Sequence, residues 1–171
     1  MTVARGLLAA LSVLLSVLVQ QTVLSRLGLP GGRPDLVLLV VVAVGLADGP
    51  GAGTLVGFGA GLTLDCLGDH PIGLQALVLC LVGYAVGRYR DEVDRSTIGP
   101  LLAVAAAAAG STLLFAAIGA VLSDPRVGWT ALARELPASV GYDLLLAPFV
   151  LPMVTRLVAG SGGVDTKVAP R

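Results

Sequence analysis

Residues 50–73 read PGAGTLVGFGAGLTLDCLGDHPIG. Gly53, Gly57 and Gly61 recur every four residues and Asp65 continues the series, so on an α-helix all four share one face. That face is a smooth stripe ending in a carboxylate. In a bilayer, small residues let helix backbones approach closely, and an acidic side chain needs a partner or a wet cavity. The spacing predicts a helix from Pro50 to Leu67 that its neighbours enclose.

The composition supports a membrane setting. The chain is 56% hydrophobic and 13% charged, against ~25% charged in typical soluble proteins, and its mean hydropathy is +0.91. Formal net charge is zero, so there is no basic footprint for nucleic acid. Cys66 and Cys80 stand alone beside a single histidine. This argues against a disulfide framework or a zinc site; both cysteines read as small packing residues. No cofactor is implied.

Working outward, the pattern predicts an all-α integral membrane protein with one domain over residues 1–159 and a disordered tail over 160–171. Helices are expected at about 6–24, 34–47, 50–67, 71–88, 100–122 and 137–158. The first apolar run lacks a small-x-small cleavage site and reads as a retained helix rather than a signal peptide. The second opens at Pro34, with Asp35 where the helix dipole favours an anion. It ends at Asp48 in a DGPG turn. At ~21 Å it falls short of a ~30 Å hydrocarbon core, so it must tilt, thin the bilayer or stop part-way.

After the glycine stripe, Asp69 or His70 is expected to cap the fourth helix ahead of Pro71. That helix carries Gly83 and Gly87, a second small-residue pair. RYRDEVDRST reads as a solvated loop, and the fifth helix is rich in alanine. Trp129, Leu132, Ala133 and Leu136 share a face, which fits a short interfacial helix before the sixth. Pro148 and Pro152 each remove a backbone hydrogen bond, so a kink is expected there.

Six spans with a cytoplasmic N-terminus place Arg5, Arg88, Arg90, Arg95, Arg156, Lys167 and Arg171 inside, against Arg26, Arg33, Arg126 and Arg134 outside. A five-helix alternative fuses residues 36–67 into one helix of ~48 Å with DGPG near its middle. Length therefore favours six. In that topology Asp65 arrives near the outer boundary, and Asp143 lies ~9 Å below Pro137. Arg33, Asp35, Asp65, Tyr142 and Asp143 are then expected around an outer polar pocket, with Arg33 pairing to Asp65 or Asp143. For Asp35 and Asp69 the plainer alternative is that they face headgroups and water.

Arg33-Pro34-Asp35 heading an apolar helix, GxxxGxxLD at Gly57–Asp65, Pro71-Ile72-Gly73, Gly83-Tyr84, and Tyr142-Asp143 before LLLAPFVLP together resemble the MreD family of rod shape-determining proteins. Members of that family often carry Asn where this chain has Asp143. The resemblance implies a bacterial inner-membrane protein of the elongation machinery. It would act with the bitopic protein MreC, and indirectly with the MreB filament and peptidoglycan synthases. It also implies a fold similar to the substrate-binding subunits of energy-coupling-factor transporters.

Two functions fit these features. One is a non-catalytic scaffold that binds a partner's transmembrane helix, with Gly83/Gly87 and the alanine-rich helix as partner faces. The other is a small-molecule binder, either a vitamin-type transporter subunit or a lipid-precursor sensor. A solute binder needs aromatic and hydrogen-bonding loops, yet the chain has three Phe, three Tyr and one Trp. The balance favours the scaffold. No serine, cysteine or histidine has an evident base partner, so the sequence gives no reason to name a reaction.

Overall fold

The segment LVLLVVVAVGLAD is apolar on every side, and a helix of that kind belongs inside a protein rather than at its surface. In the computed structural model, which describes residues 3–22, 32–68, 72–93, 95–121 and 129–160, that segment is α2 (Leu36–Asp48). Every residue from Val37 to Gly45 is buried. Around it stand α1 (Val3–Thr22), α3 (Pro50–Leu67), α4 (Leu74–Arg88), α6 (Gly99–Val121) and α7 (Trp129–Gly160), with the single turn α5 (Arg90–Val93) between α4 and α6. All five long neighbours pack on α2. This enclosure accounts for its shortness. A helix that meets protein along its length has no lipid thickness to match, and side chains of the fold can satisfy its ends.

The outer helices are sided accordingly. On α1, Ala9, Val13 and Val17 face inward, while Leu7, Leu11, Leu14, Leu15 and Leu18 are exposed. Such a leucine-rich outer face suits lipid. Among the described residues, three helices are long and apolar enough to cross a membrane: Arg5–Thr22, Gly99–Val121 and Leu136–Val158. Leu36–Asp48 and Leu74–Arg88 are apolar but shorter.

α3 and α4 form the tightest pair. A Cβ placed on Gly53 would collide with the carbonyl of Gly83, and one on Gly83 with the carbonyl of Gly53. Gly57 meets the Leu79 carbonyl, Gly61 the backbone of Ala76, and Gly87 the backbone of Gly49 and Pro50 in the same way. The stripe on α3 is therefore read by α4. Gly83 and Gly87 are accordingly buried inside the protein, and the expected partner face at this pair is occupied by α3.

Several boundaries differ from those read in the sequence. Pro34 precedes α2, and Asp35 is its N-cap. α4 starts at Leu74 because Gly73, at φ +100°, turns the chain before the helix can begin. The charged loop contains the one-turn α5. The region from Trp129 is continuous with the last helix, through Pro137, Pro148 and Pro152, to Gly160. Prolines are tolerated in membrane helices where side-chain hydroxyls and neighbours serve the freed backbone groups. In α7, Pro137, Pro148 and Pro152 leave without their helical donor the carbonyls four residues earlier; nearby, Thr155 donates to the Leu151 carbonyl at 2.8 Å and Ser139 to that of Leu136 at 3.2 Å as additional local bonds. The expected caps Asp69 and His70, Pro71, the loop at 25–31 and the tail at 161–171 lie outside the described residues, as do the side chains of 129–135.

Candidate functional site

The first amides of any helix lack intrahelical acceptors, and burial makes that lack costly. At the N-terminus of α2, three elements supply them. Asp35 accepts from the Leu38 N–H at 3.0 Å. Gln20 of α1 accepts from the Val37 N–H at 3.2 Å. Asp143 of α7 accepts from the Asp35 N–H at 2.7 Å. Asp143 is 1% exposed. Its carboxylate therefore joins α7 to α2 at one end of the bundle.

The same device recurs at α4. Asp65, 2% exposed, sits near the end of α3 and accepts from the N–H groups of Gly73 at 2.8 Å, Gln75 at 3.1 Å and Ala76 at 3.1 Å. Gly73 has no side chain to cap α4. Asp65 does so from the neighbouring helix, which explains why the glycine stripe ends in an acid.

The five residues expected to share an outer pocket thus divide. Asp35 and Asp143 come together. Asp65 turns to the α4 amides instead. Arg33 is exposed, and among the ion pairs of the described residues none joins it to Asp65 or Asp143. The physical reason is that a buried carboxylate beside a helix N-terminus finds several amide donors already aimed at it. Tyr142 is half-buried next to Asp143. Gln20 was missed by the sequence reading. Its only signal was the lapse of the first apolar run into Gln20-Gln21-Thr22.

A second feature lies on the outside of the bundle. Leu81, Tyr84 and Ala85 of α4 and Ala103, Ala106 and Gly110 of α6 line an apolar groove of about 780 Å³. Small side chains form most of the α6 wall, so the groove is a place where another backbone can come close. Among the described residues no group of three or more His, Cys, Asp or Glu is placed to hold a metal ion.

A family model described as rod shape-determining protein MreD matches residues 2–124. The chain belongs to the MreD family. The match takes in α1 to α6 and so includes Asp35, Asp65 and the α4/α6 groove; α7 with Asp143 lies beyond it. Membership and the apolar helices together make this a membrane protein with a role in rod-shape determination. Comparison with curated proteins and with solved structures gave no match.

Proposed function

We propose that this MreD-family protein is a non-catalytic scaffold of the cell-elongation machinery, and that its α4/α6 groove receives the transmembrane helix of an MreC-like bitopic protein. The groove is the observation that carries the reading. Helices in lipid associate by close packing against small residues rather than by hydrophobic force, and Ala103, Ala106 and Gly110 supply such a wall beside Tyr84. The capped acids support the same reading. Asp65 and Asp143 are engaged by backbone amides, as suits a rigid framework better than a solute site. Through the bitopic partner the protein would act indirectly on an MreB-like filament and on peptidoglycan synthases.

In this proposal all six long helices belong to the membrane domain, in an arrangement like that of energy-coupling-factor substrate subunits. It lies in the bacterial cytoplasmic membrane with both termini inside. The test is co-purification from native membranes in gentle detergent. Ala106→Trp should lower recovery of the bitopic partner while folded yield stays constant. Undiminished recovery in both Ala106→Trp and Ala103→Leu would remove the groove from the account. Recovery of a coupling subunit with ATPases would favour the transporter reading instead.

A further inference from the structure

At the opposite end of α2 from the Asp35 cluster, α1, α2, α6 and α7 enclose a cleft of about 670 Å³. Its lining is graded. Four polar residues stand at one end of the bundle: Arg5 at the start of α1, Asp48 at the end of α2, Thr97 just before α6, and Thr155 near the end of α7. Leu101, Pro148 and Leu151 line it further along α6 and α7. A polar rim above an apolar slot has the shape of a lipid, head outward and chain inward.

The rim also carries an incomplete ion pair. Arg5 Nη1 meets Asp48 Oδ1 at 3.3 Å. Arg5 Nε and Asp48 Oδ2 are buried and have no partner among the described residues. A guanidinium and a carboxylate can make two parallel bonds; here one is made, leaving a donor and an acceptor side by side. The Asp48 side chain is 8% exposed and that of Arg5 31%, so the guanidinium is reachable from the cleft while the carboxylate is deep in it. Burying such groups without partners is costly.

We infer that this cleft binds a phospholipid with an amine-bearing headgroup, of the phosphatidylethanolamine class, from the leaflet on the N-terminal side. The phosphate takes the free guanidinium donors of Arg5 and the hydroxyl of Thr97. On binding, the Arg5 side chain shifts enough to uncover Asp48 Oδ2, and the ammonium supplies the donor that this oxygen lacks. One acyl chain lies against Leu101, Pro148 and Leu151. Only a headgroup carrying both signs completes both halves of the pair. A glycerol headgroup offers the Asp48 oxygen only neutral hydroxyls, and its net negative charge goes uncompensated beside the carboxylate. This inference does not depend on the partner groove.

The test uses the full chain in detergent, read by native mass spectrometry and thermal unfolding, with dioleoyl phosphatidylethanolamine, dioleoyl phosphatidylglycerol and inorganic phosphate as probes. Wild-type protein should retain the ethanolamine lipid about tenfold better than the glycerol lipid, the scale of one added charge-assisted bond, and should be stabilised by it. Phosphate alone should do nothing. Asp48→Asn should abolish the preference, Arg5→Gln should weaken retention of both lipids by removing the phosphate contact, and Leu151→Trp should weaken both by filling the slot. Equal retention of the two lipids by wild-type protein overturns the inference, as does equal stabilisation by phosphate alone. The wild-type comparison needs no variant, so it stands even where Arg5→Gln fails to fold.

Discussion

The Asp143 carboxylate on α7 accepts the backbone N–H of Asp35 at 2.7 Å, across 108 residues of chain. That one bond fixes the start of the central helix against the last one. What the position needs is an acceptor at that place, and a charge is not required for it. The amide oxygen of Asn can accept the same N–H. Asp143→Asn should therefore keep folded yield close to wild type. Asp143→Leu should lower stability by about 1–3 kcal/mol, because it leaves a buried N–H unserved. Chemical unfolding of the purified variants in detergent separates the two; equal loss in both would mean that charge, rather than acceptance, is what counts.

Asp65 makes a stronger case because it serves three amides at once. Asp65→Leu should cost about 2 kcal/mol or more, beyond the ~1 kcal/mol typical of losing a cap, and should fray the start of α4. Asp65→Asn keeps one acceptor oxygen and should fall between. Hydrogen exchange at Gly73, Gln75 and Ala76 is the direct measurement. Unchanged protection of these amides in Asp65→Leu would refute the capping role.

The glycines of α3 are not equivalent. Gly53→Val should destabilise by about 1–3 kcal/mol or prevent folding, since even its Cβ would collide with the Gly83 carbonyl. Gly59→Ala, where nothing lies within 4 Å of the added Cβ, should leave stability unchanged or slightly raised. Parallel thermal scans would test the contrast; similar behaviour of the two variants would argue against close α3/α4 packing.

A further contrast tests which helix is the core. Leu39 on α2 is fully buried and Leu11 on α1 is 60% exposed. Leu39→Ala should cost about 2 kcal/mol, mainly from lost packing. Leu11→Ala should cost little when lipid or detergent covers that face. If Leu11→Ala proved the more damaging, the exposed face of α1 would have to be packed against something.

Much of the framework was readable from the residues alone. The apolar runs marked a helical membrane protein, and the four-residue spacing placed Gly53, Gly57, Gly61 and Asp65 on one face, because helical periodicity is a local property of the chain. The DGPG stop after α2 was legible for the same reason: Gly49 takes φ +87° and Pro50 opens α3. The all-round apolar character of α2 is also visible in the sequence, but by itself it poses a problem of length in lipid rather than pointing to enclosure.

Partner choice was not legible. Nothing local tells Asp65 to reach the amides of α4 rather than Arg33, or Gln20 of α1 to reach Val37. Those outcomes depend on which helix end arrives beside which side chain. The same holds for Gly83 and Gly87, whose small size marked a close contact without saying with what. Sequence determined the helical membrane class, the small-residue face of α3 and the turns between elements, since each follows from neighbouring residues. Only the tertiary structure decided that α2 is the enclosed centre, that Asp65 and Asp143 serve helix ends, and that the open groove lies between α4 and α6. Those relations join residues far apart in the chain, and they are settled by which buried polar groups can be satisfied together.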